Sequence, residues 1–186
     1  MSEKASRTAA RLRVSALRLF SERGFDGVTV EEIARDAGVS HMTFFRHFPT
    51  KEDVLLDDPY DPFIAEAVSA QPAALPSLER VRRGLLTAWE SVPAATSDET
   101  RARVAIMAGH PALRARAWQN TQRTEALIVE ALISQGASRQ ESVVAAGACL
   151  GAVMSALLEW GASGGDDALG QRIVAALEMI RPEVHG

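Results

Sequence analysis

The chain has 186 residues, is 47% hydrophobic and 24% charged, and carries a net charge of −4. These figures exclude a disordered or fibrous chain and fit one globular domain, or a small module joined to a larger one. A single cysteine, Cys149, excludes an intrachain disulfide, and the charged start MSEKASRTAARLR lacks the apolar core of a signal peptide, so a reducing cytoplasm is expected.

The charge is uneven. Residues 1–51 hold nine lysines and arginines against six acids, a net of +3, and the remainder has eleven against eighteen, a net of −7. A basic first quarter on an acidic body points to a polyanion partner for that quarter, although chance also produces an excess of three. Within it, Ala9, Leu12, Ala16, Leu19 and Phe20 recur at helical spacing and predict a first helix over about 5–23. Gly24 supplies a left-handed stop, and Phe25 can fold back onto the last turn. Thr29 with Glu32 then forms a capping box, and Val28 with Ile33 a hydrophobic staple, so a second helix starts there. Gly38 ends it. Ser40 is placed to cap a third helix. Helix, glycine-containing turn, helix is a helix-turn-helix.

The third helix, HMTFFRHF, mixes types that neither a core nor a surface helix favours. Phe44 and Phe48 are four apart and share a rear face, while His41, Met42, Phe45 and Arg46 project from other sides. A buried arginine without a partner is costly, so Arg46 is expected to face outward. An apolar rear and a cationic front are what a recognition helix in a DNA groove needs. Pro49 stops this helix, and Thr50 with Asp53 starts a fourth.

The run LRLFSERGFDGVTVEEIARDAGVSHMTFFRHFPTKEDVL resembles the DNA-binding domain of the TetR family of bacterial transcriptional regulators. The shared features are an aliphatic-Phe pair before a Gly-aromatic, then Thr-Val-x-x-Ile-Ala-x-x-Ala-Gly-Val-Ser, an aromatic, a Phe and Lys-Glu. The resemblance implies DNA contacts from Thr29, Ser40, His41, Met42, Thr43, Phe45, Arg46, His47 and Lys51. Thr29 and Ser40 would contact phosphate as well as cap, or cap alone. His41, Met42 and Thr43 would reach base edges, with Met42 or the Thr43 methyl against a thymine methyl. Phe45 stands where the family usually has a tyrosine whose hydroxyl reaches phosphate, so it would pack on sugar or a base methyl instead. Arg46 would read guanine or pair with phosphate, and His47 and Lys51 would pair with phosphate. A solvated His41 and plain surface charge at Arg46 and Lys51 are the alternatives.

From residue 52 onward the sequence reads as helices. Asp57, Asp58 and Asp61 fit turn and cap positions better than a cation site, because they lack regular ligand spacing. A stripe of Leu78, Val81, Leu85 and Trp89 predicts a helix over about 77–92, and 93–97 reads as a linker. A shorter helix over 99–108 turns Val104 and Met107 inward. Gly109-His110-Pro111 breaks it, and Pro111 opens a long helix to about 134. That helix mixes Trp118, Gln119 and Gln122 with Leu113, Ala117, Leu127 and Leu132, as a ligand cavity would, or as one buried and one wet face would. The candidate ligand-binding residues are Phe63, Leu85, Trp89, Met107, Trp118, Gln122 and Met154.

Residues 143–158, VVAAGACLGAVMSALL, carry no charge. A membrane span would need about four more residues, so a helix buried on all sides is expected, one side over the cavity and one against a partner subunit. Gly164-Gly165 would turn the chain into a last helix over about 166–181. The resemblance implies dimerisation through these two helices, with Val144, Gly147, Gly151, Leu158, Leu169, Ile173 and Ile180 as candidate interface residues.

The expected fold is all-α. A three-helix homeodomain-like helix-turn-helix domain over 1–51 precedes a helical ligand-binding and dimerisation bundle over 52–186, about nine helices in total. The resemblance implies a homodimeric repressor on a palindromic double-stranded operator, released by a small hydrophobic effector, or an activator on the same fold. GHPALRARAW resembles the acyl-CoA-responsive branch. An enzyme with an incidental helix-turn-helix is the remaining alternative. His41, His47, His110 and His185 are scattered, and no nucleophile motif, zinc pair or phosphate loop is present, so no catalytic residue, metal, cofactor or membrane partner is expected.

Overall fold

The computed structural model describes residues 3–56, 61–90, 98–163 and 168–181. These form ten helices and no strand: α1 (Glu3–Arg23), α2 (Val30–Asp36), α3 (His41–His47), α4 (Asp53–Leu56), α5 (Asp61–Ser69), α6 (Ser77–Glu90), α7 (Asp98–Gly109), α8 (Pro111–Ser134), α9 (Arg139–Ser163) and α10 (Leu169–Met179). The expected nine become ten. The expected linker at 93–97, the Gly164-Gly165 turn, His185, Asp57 and Asp58 lie outside the described residues.

The first four helices form as their local chemistry dictates. Leu12, Ala16 and Phe20 of α1 are buried, and Gly24 ends the helix at φ +77°. At α2 the capping box is complete: Thr29 N–H donates to Glu32 Oε2 at 2.9 Å, and Glu32 N–H to Thr29 Oγ1 at 3.3 Å. The Arg23 guanidinium, with help from the Thr29 N–H, holds the Glu32 carboxyl down at about 2. Gly38 adopts φ +66°, and a Cβ there would lie 2.8 Å from Arg11 Nη2, which itself donates to the Ala37 carbonyl. So the turn needs glycine both for its backbone and for the cation that ties it to α1. Ser40 caps α3 by accepting from Thr43 N–H at 3.2 Å. Thr50 and Asp53 make a second reciprocal pair at α4, at 2.9 and 3.3 Å.

In the body, α6, α7, α8 and α10 all pack on α9, and α5 lies against α6 and α8. Glycine sets two of these approaches: a Cβ on Gly84 would fall 2.7 Å from Val68 Cα, and one on Gly161 would fall 2.7 Å from the Val104 carbonyl oxygen. Burial of Arg82 is compensated by Glu79, at 2.8 and 2.9 Å, and by Glu178 at 2.5 Å. Arg82, with Arg83 as a second donor, holds the Glu79 carboxyl at about 2.

The apolar segment at 143–158 belongs to a helix of 25 residues, long and apolar enough to cross a membrane. The expectation that it is too short therefore fails, because Arg139–Ser142 and Glu159–Ser163 extend the helix at both ends. It is also not buried on all sides: only 28% of its most apolar window is covered by this chain. Ala145, Ala146, Cys149 and Leu150 face the core, while Val143 and Val144 are exposed. Burial pushes the Cys149 thiol up to about 12.

Candidate nucleic-acid interface and body surfaces

Neighbouring residues of α3 divide sharply. Phe44 and Phe48 are 0% and 1% exposed, whereas Met42 and Phe45 are 67% and 42% exposed. Phe45 is held edge-on between Phe44, at 5.5 Å between centroids, and His41, at 6.0 Å. Its ring is thus fixed on the outer face of the helix, an apolar plate without a hydroxyl. Arg46 and Arg35 have no side-chain partner among the described residues, and both are exposed. By contrast, Arg18 is paired with Glu22 at 2.8 Å and with Asp36 at 2.6 Å, and Arg23 with Glu32 at 2.8 Å. The +3 excess of this quarter therefore overlies a smaller set of free cations, and Arg46 is the one on α3.

The remaining expected DNA residues are already engaged in part. Thr29 and Ser40 use their oxygens as helix caps, and the Ser40 and Thr43 hydroxyls bond each other at 2.9 Å. His47 is half-buried beside Phe48. Lys51 differs most from expectation. Its Nζ donates to the Phe25 and Val28 carbonyls at 2.9 and 3.0 Å and sits 4.1 Å above the Phe25 ring. It is a strut between the start of α4 and the α1–α2 loop.

That loop also meets the body. His110 Nε2 lies 3.2 and 3.1 Å from the two Asp26 carboxylate oxygens, and its ring meets the Phe25 ring edge-on at 5.0 Å. Further along α8, Asn120 Nδ2 donates to the Leu56 carbonyl at 3.2 Å, and Arg116 lies 3.7 Å from Asp53. In the sequence His110 reads only as part of a helix break. No local pattern marks a contact between residues 84 positions apart.

The seven expected ligand residues do not line one chamber. Leu85 and Met107 are buried, Trp89 and Met154 are half-buried, and Phe63 is exposed. Trp118 and Gln122 share an open hollow of about 210 Å³ between α8 and α9 that also takes in Thr121, Leu150, Gly147 and Gly151. The mixed polar and apolar face of α8 thus lines a surface groove.

The expected interface also needs correction. Leu169 and Ile173 are 1% and 2% exposed within their own subunit, and Ile180 packs against the same core. The stripe read on α10 is the one that holds it to the bundle, so Leu169 and Ile173 are already covered within the subunit, while Ile180 is half-buried. The exposed large apolar residues of α10 are Val174 and Met179. On α9, Val144 is 65% exposed, Leu158 is half-buried, and a Cβ on Gly147 or Gly151 would meet nothing within 4 Å among the described residues.

The chain matches the family model of bacterial regulatory proteins of the tetR family over residues 12–57, and that of the MftR C-terminal domain over 75–185. It is 36% identical over 81 residues to the HTH-type transcriptional regulator EthR of Mycolicibacterium smegmatis, covering 41% of this chain and 37% of that protein. The matched stretches span 37% or less of the length of the curated relatives. Among solved structures, the fatty acid degradation regulator FadR of Bacillus halodurans aligns with a TM-score of 0.59 and 18% identity, over 100% of this chain and 98% of that one. Thermus thermophilus FadR, a TetR-family repressor in complex with lauroyl-CoA, aligns with a TM-score of 0.53 and 24% identity, over 96% and 98%. At these identities the structures establish a common fold, and together with the two family models, the second of which covers more than half of the residues, they place the chain in the TetR family of bacterial regulatory proteins.

Proposed function

We propose that this protein is a cytoplasmic, homodimeric repressor that binds a palindromic operator and is released by a small hydrophobic effector. The observation that carries this reading is the division of α3, with Phe44 and Phe48 buried behind it and Met42, Phe45 and Arg46 exposed in front. In the proposed complex Arg46 reads guanine or clamps phosphate, His41, Met42 and Thr43 meet base edges, and Phe45 packs on sugar or a thymine methyl. Thr29, Ser40 and His47 lie against the phosphates. Lys51 acts mainly by fixing α4, with its third N–H left for a phosphate.

Two copies would pair through the exposed side of α9 and the outer side of α10, Val144, Gly147, Gly151, Val174 and Met179 included. Among the described residues nothing lies within 4 Å of a Cβ built on Gly147 or Gly151, and glycine at both leaves room for a closely approaching second helix. A second copy seated there would also cover the exposed apolar face of α9. The pair presents two recognition helices to half-sites about one helical turn apart. A long-chain acyl-CoA is the first effector to test, because two structural neighbours were solved with lauroyl-CoA and stearoyl-CoA. Its binding would shift the population toward a spacing that no longer fits the operator. The role is binding without turnover.

Fluorescence anisotropy on an inverted repeat from the protein's own promoter region tests this. Binding should weaken steeply with salt and exceed binding to a scrambled duplex. Arg46→Ala should cost about 1–3 kcal/mol and relax preference at one base pair if it reads a base. Equal affinity for the scrambled duplex at moderate salt would overturn the reading. Moving the operator relative to the promoter in a reporter separates repression from activation.

A further inference from the structure

Two buried arginines two residues apart on α6 are treated differently by the fold. Arg82, 5% exposed, is enclosed by the carboxylates of Glu79 and Glu178. Arg80 is 2% exposed, and among the described residues no carboxylate reaches ion-pair distance of it. Its Nη2 donates to Gln135 Oε1, and its Nε is buried without any partner. Gln135 is itself oriented by donating from Nε2 to the Ser69 carbonyl at 2.9 Å, so it offers Arg80 one neutral oxygen. A guanidinium has five N–H donors, and a buried charge with one neutral acceptor is far from satisfied.

Arg80 lines a polar hollow of about 320 Å³ at the end of the body, between residues 73–77, the α8–α9 turn and Glu141. Ser77, the first residue of α6, is on the same wall. The first N–H groups of this 14-residue helix have no acceptor within it and add the positive end of its dipole. The one carboxylate on the wall, Glu141, accepts from Ser138 Oγ at 2.9 Å and from Ser138 N–H at 3.3 Å, as the cap of α9. It is engaged there and does not pair with Arg80.

We propose that this hollow binds a small oxyanion of phosphate or carboxylate type, held by the Arg80 guanidinium and the opening N–H groups of α6. The site is independent of the operator and effector reading, and it stands whether or not that reading does. A planar fork of donors beside a helix start suits a compact anion with two or more oxygens, and binding would supply the missing counter-charge.

Inorganic phosphate and acetate are the probes, titrated separately into the full chain in low-salt buffer and matched with sodium chloride of equal ionic strength. Calorimetry should show saturable one-to-one binding of at least one of them, with a melting temperature raised by roughly 2–4 °C at saturation. A response to phosphate alone or acetate alone upholds the site and identifies its preferred oxyanion. Arg80→Met should abolish the response. Ala74→Asp, on the exposed part of the wall, should supply a tethered carboxylate: a higher resting melting temperature and no further response, while Ala74→Asn keeps the wild-type response. The proposal is overturned if chloride matches both probes, or if Ala74→Asp responds as fully as the wild type.

Discussion

The first four helices and the six that follow solve the same packing problem by different means. In α1–α4 nearly every turn is specified locally: Gly24, the Thr29–Glu32 box, Gly38, the Ser40 cap and the Thr50–Asp53 pair. In α5–α10 few such signals exist, and the elements are positioned by what they touch: Val68 against Gly84, Val104 against Gly161, Arg82 between Glu79 and Glu178. The first region holds an outer face on α3, with Met42, Phe45 and Arg46 exposed. The second has an interior whose partners are distant in sequence, and an apolar outer face on α9 that its own fold leaves open.

Substitutions can break this contrast at several strengths. The largest effect is expected at the junction of core and readout. Phe44→Ala should cost about 3–5 kcal/mol of stability in denaturant unfolding. Phe45→Ala, one residue on, should leave the midpoint nearly unchanged and weaken operator binding. If both variants unfold alike, the division of α3 is wrong.

Two glycines sharpen the body side. Gly84→Ala drives a methyl into Val68 and should cost about 1–3 kcal/mol. Gly147→Ala meets nothing in this chain and should raise the stability of the isolated fold by up to about 1 kcal/mol through helix propensity. A second copy packed closely there would reverse that sign, so sedimentation and melting at several protein concentrations read out the dimer directly.

Smaller still is the cap of α2, where Thr29→Ala should cost about 0.5–2 kcal/mol, measured as a lowered denaturant midpoint. The smallest effect is in acid. Glu32 and Glu79 are held at about 2 in the fold against an ordinary 4.5. Stability from these carboxylates is complete above about 4.5 and is lost as pH falls toward about 2. Glu32→Gln should flatten part of that acid limb of melting temperature against pH, and an unchanged limb would remove Glu32 from the account.

The same contrast governs what could be read in advance. The three-helix start and its turn were legible because caps, staples and left-handed glycines act within a few residues of themselves. The buried and exposed faces of α3 followed from spacing alone. In the body, the length and period of α6 and α8 were legible, but the partner of each face was not, and α9 runs past both ends of its uncharged stretch. Leu169 and Ile173 enter as interface residues through the resemblance, and a helical stripe says that a face is covered without saying by which chain. Trp118 and Gln122 line an open groove and not an enclosed cavity for the same reason.

Lys51 and His110 show where the boundary lies. From sequence Lys51 is a cation at a helix start, and only the folded loop brings the Phe25 and Val28 carbonyls within 3.0 Å of it. His110 looks like part of a helix break until the fold sets it beside Asp26. Sequence alone determined the helices, the turn and the outward chemistry of α3, since these depend on backbone preferences and periodicity over a few residues. Tertiary structure decided which charges are paired and which apolar faces remain open, since both depend on atoms brought together from distant parts of the chain.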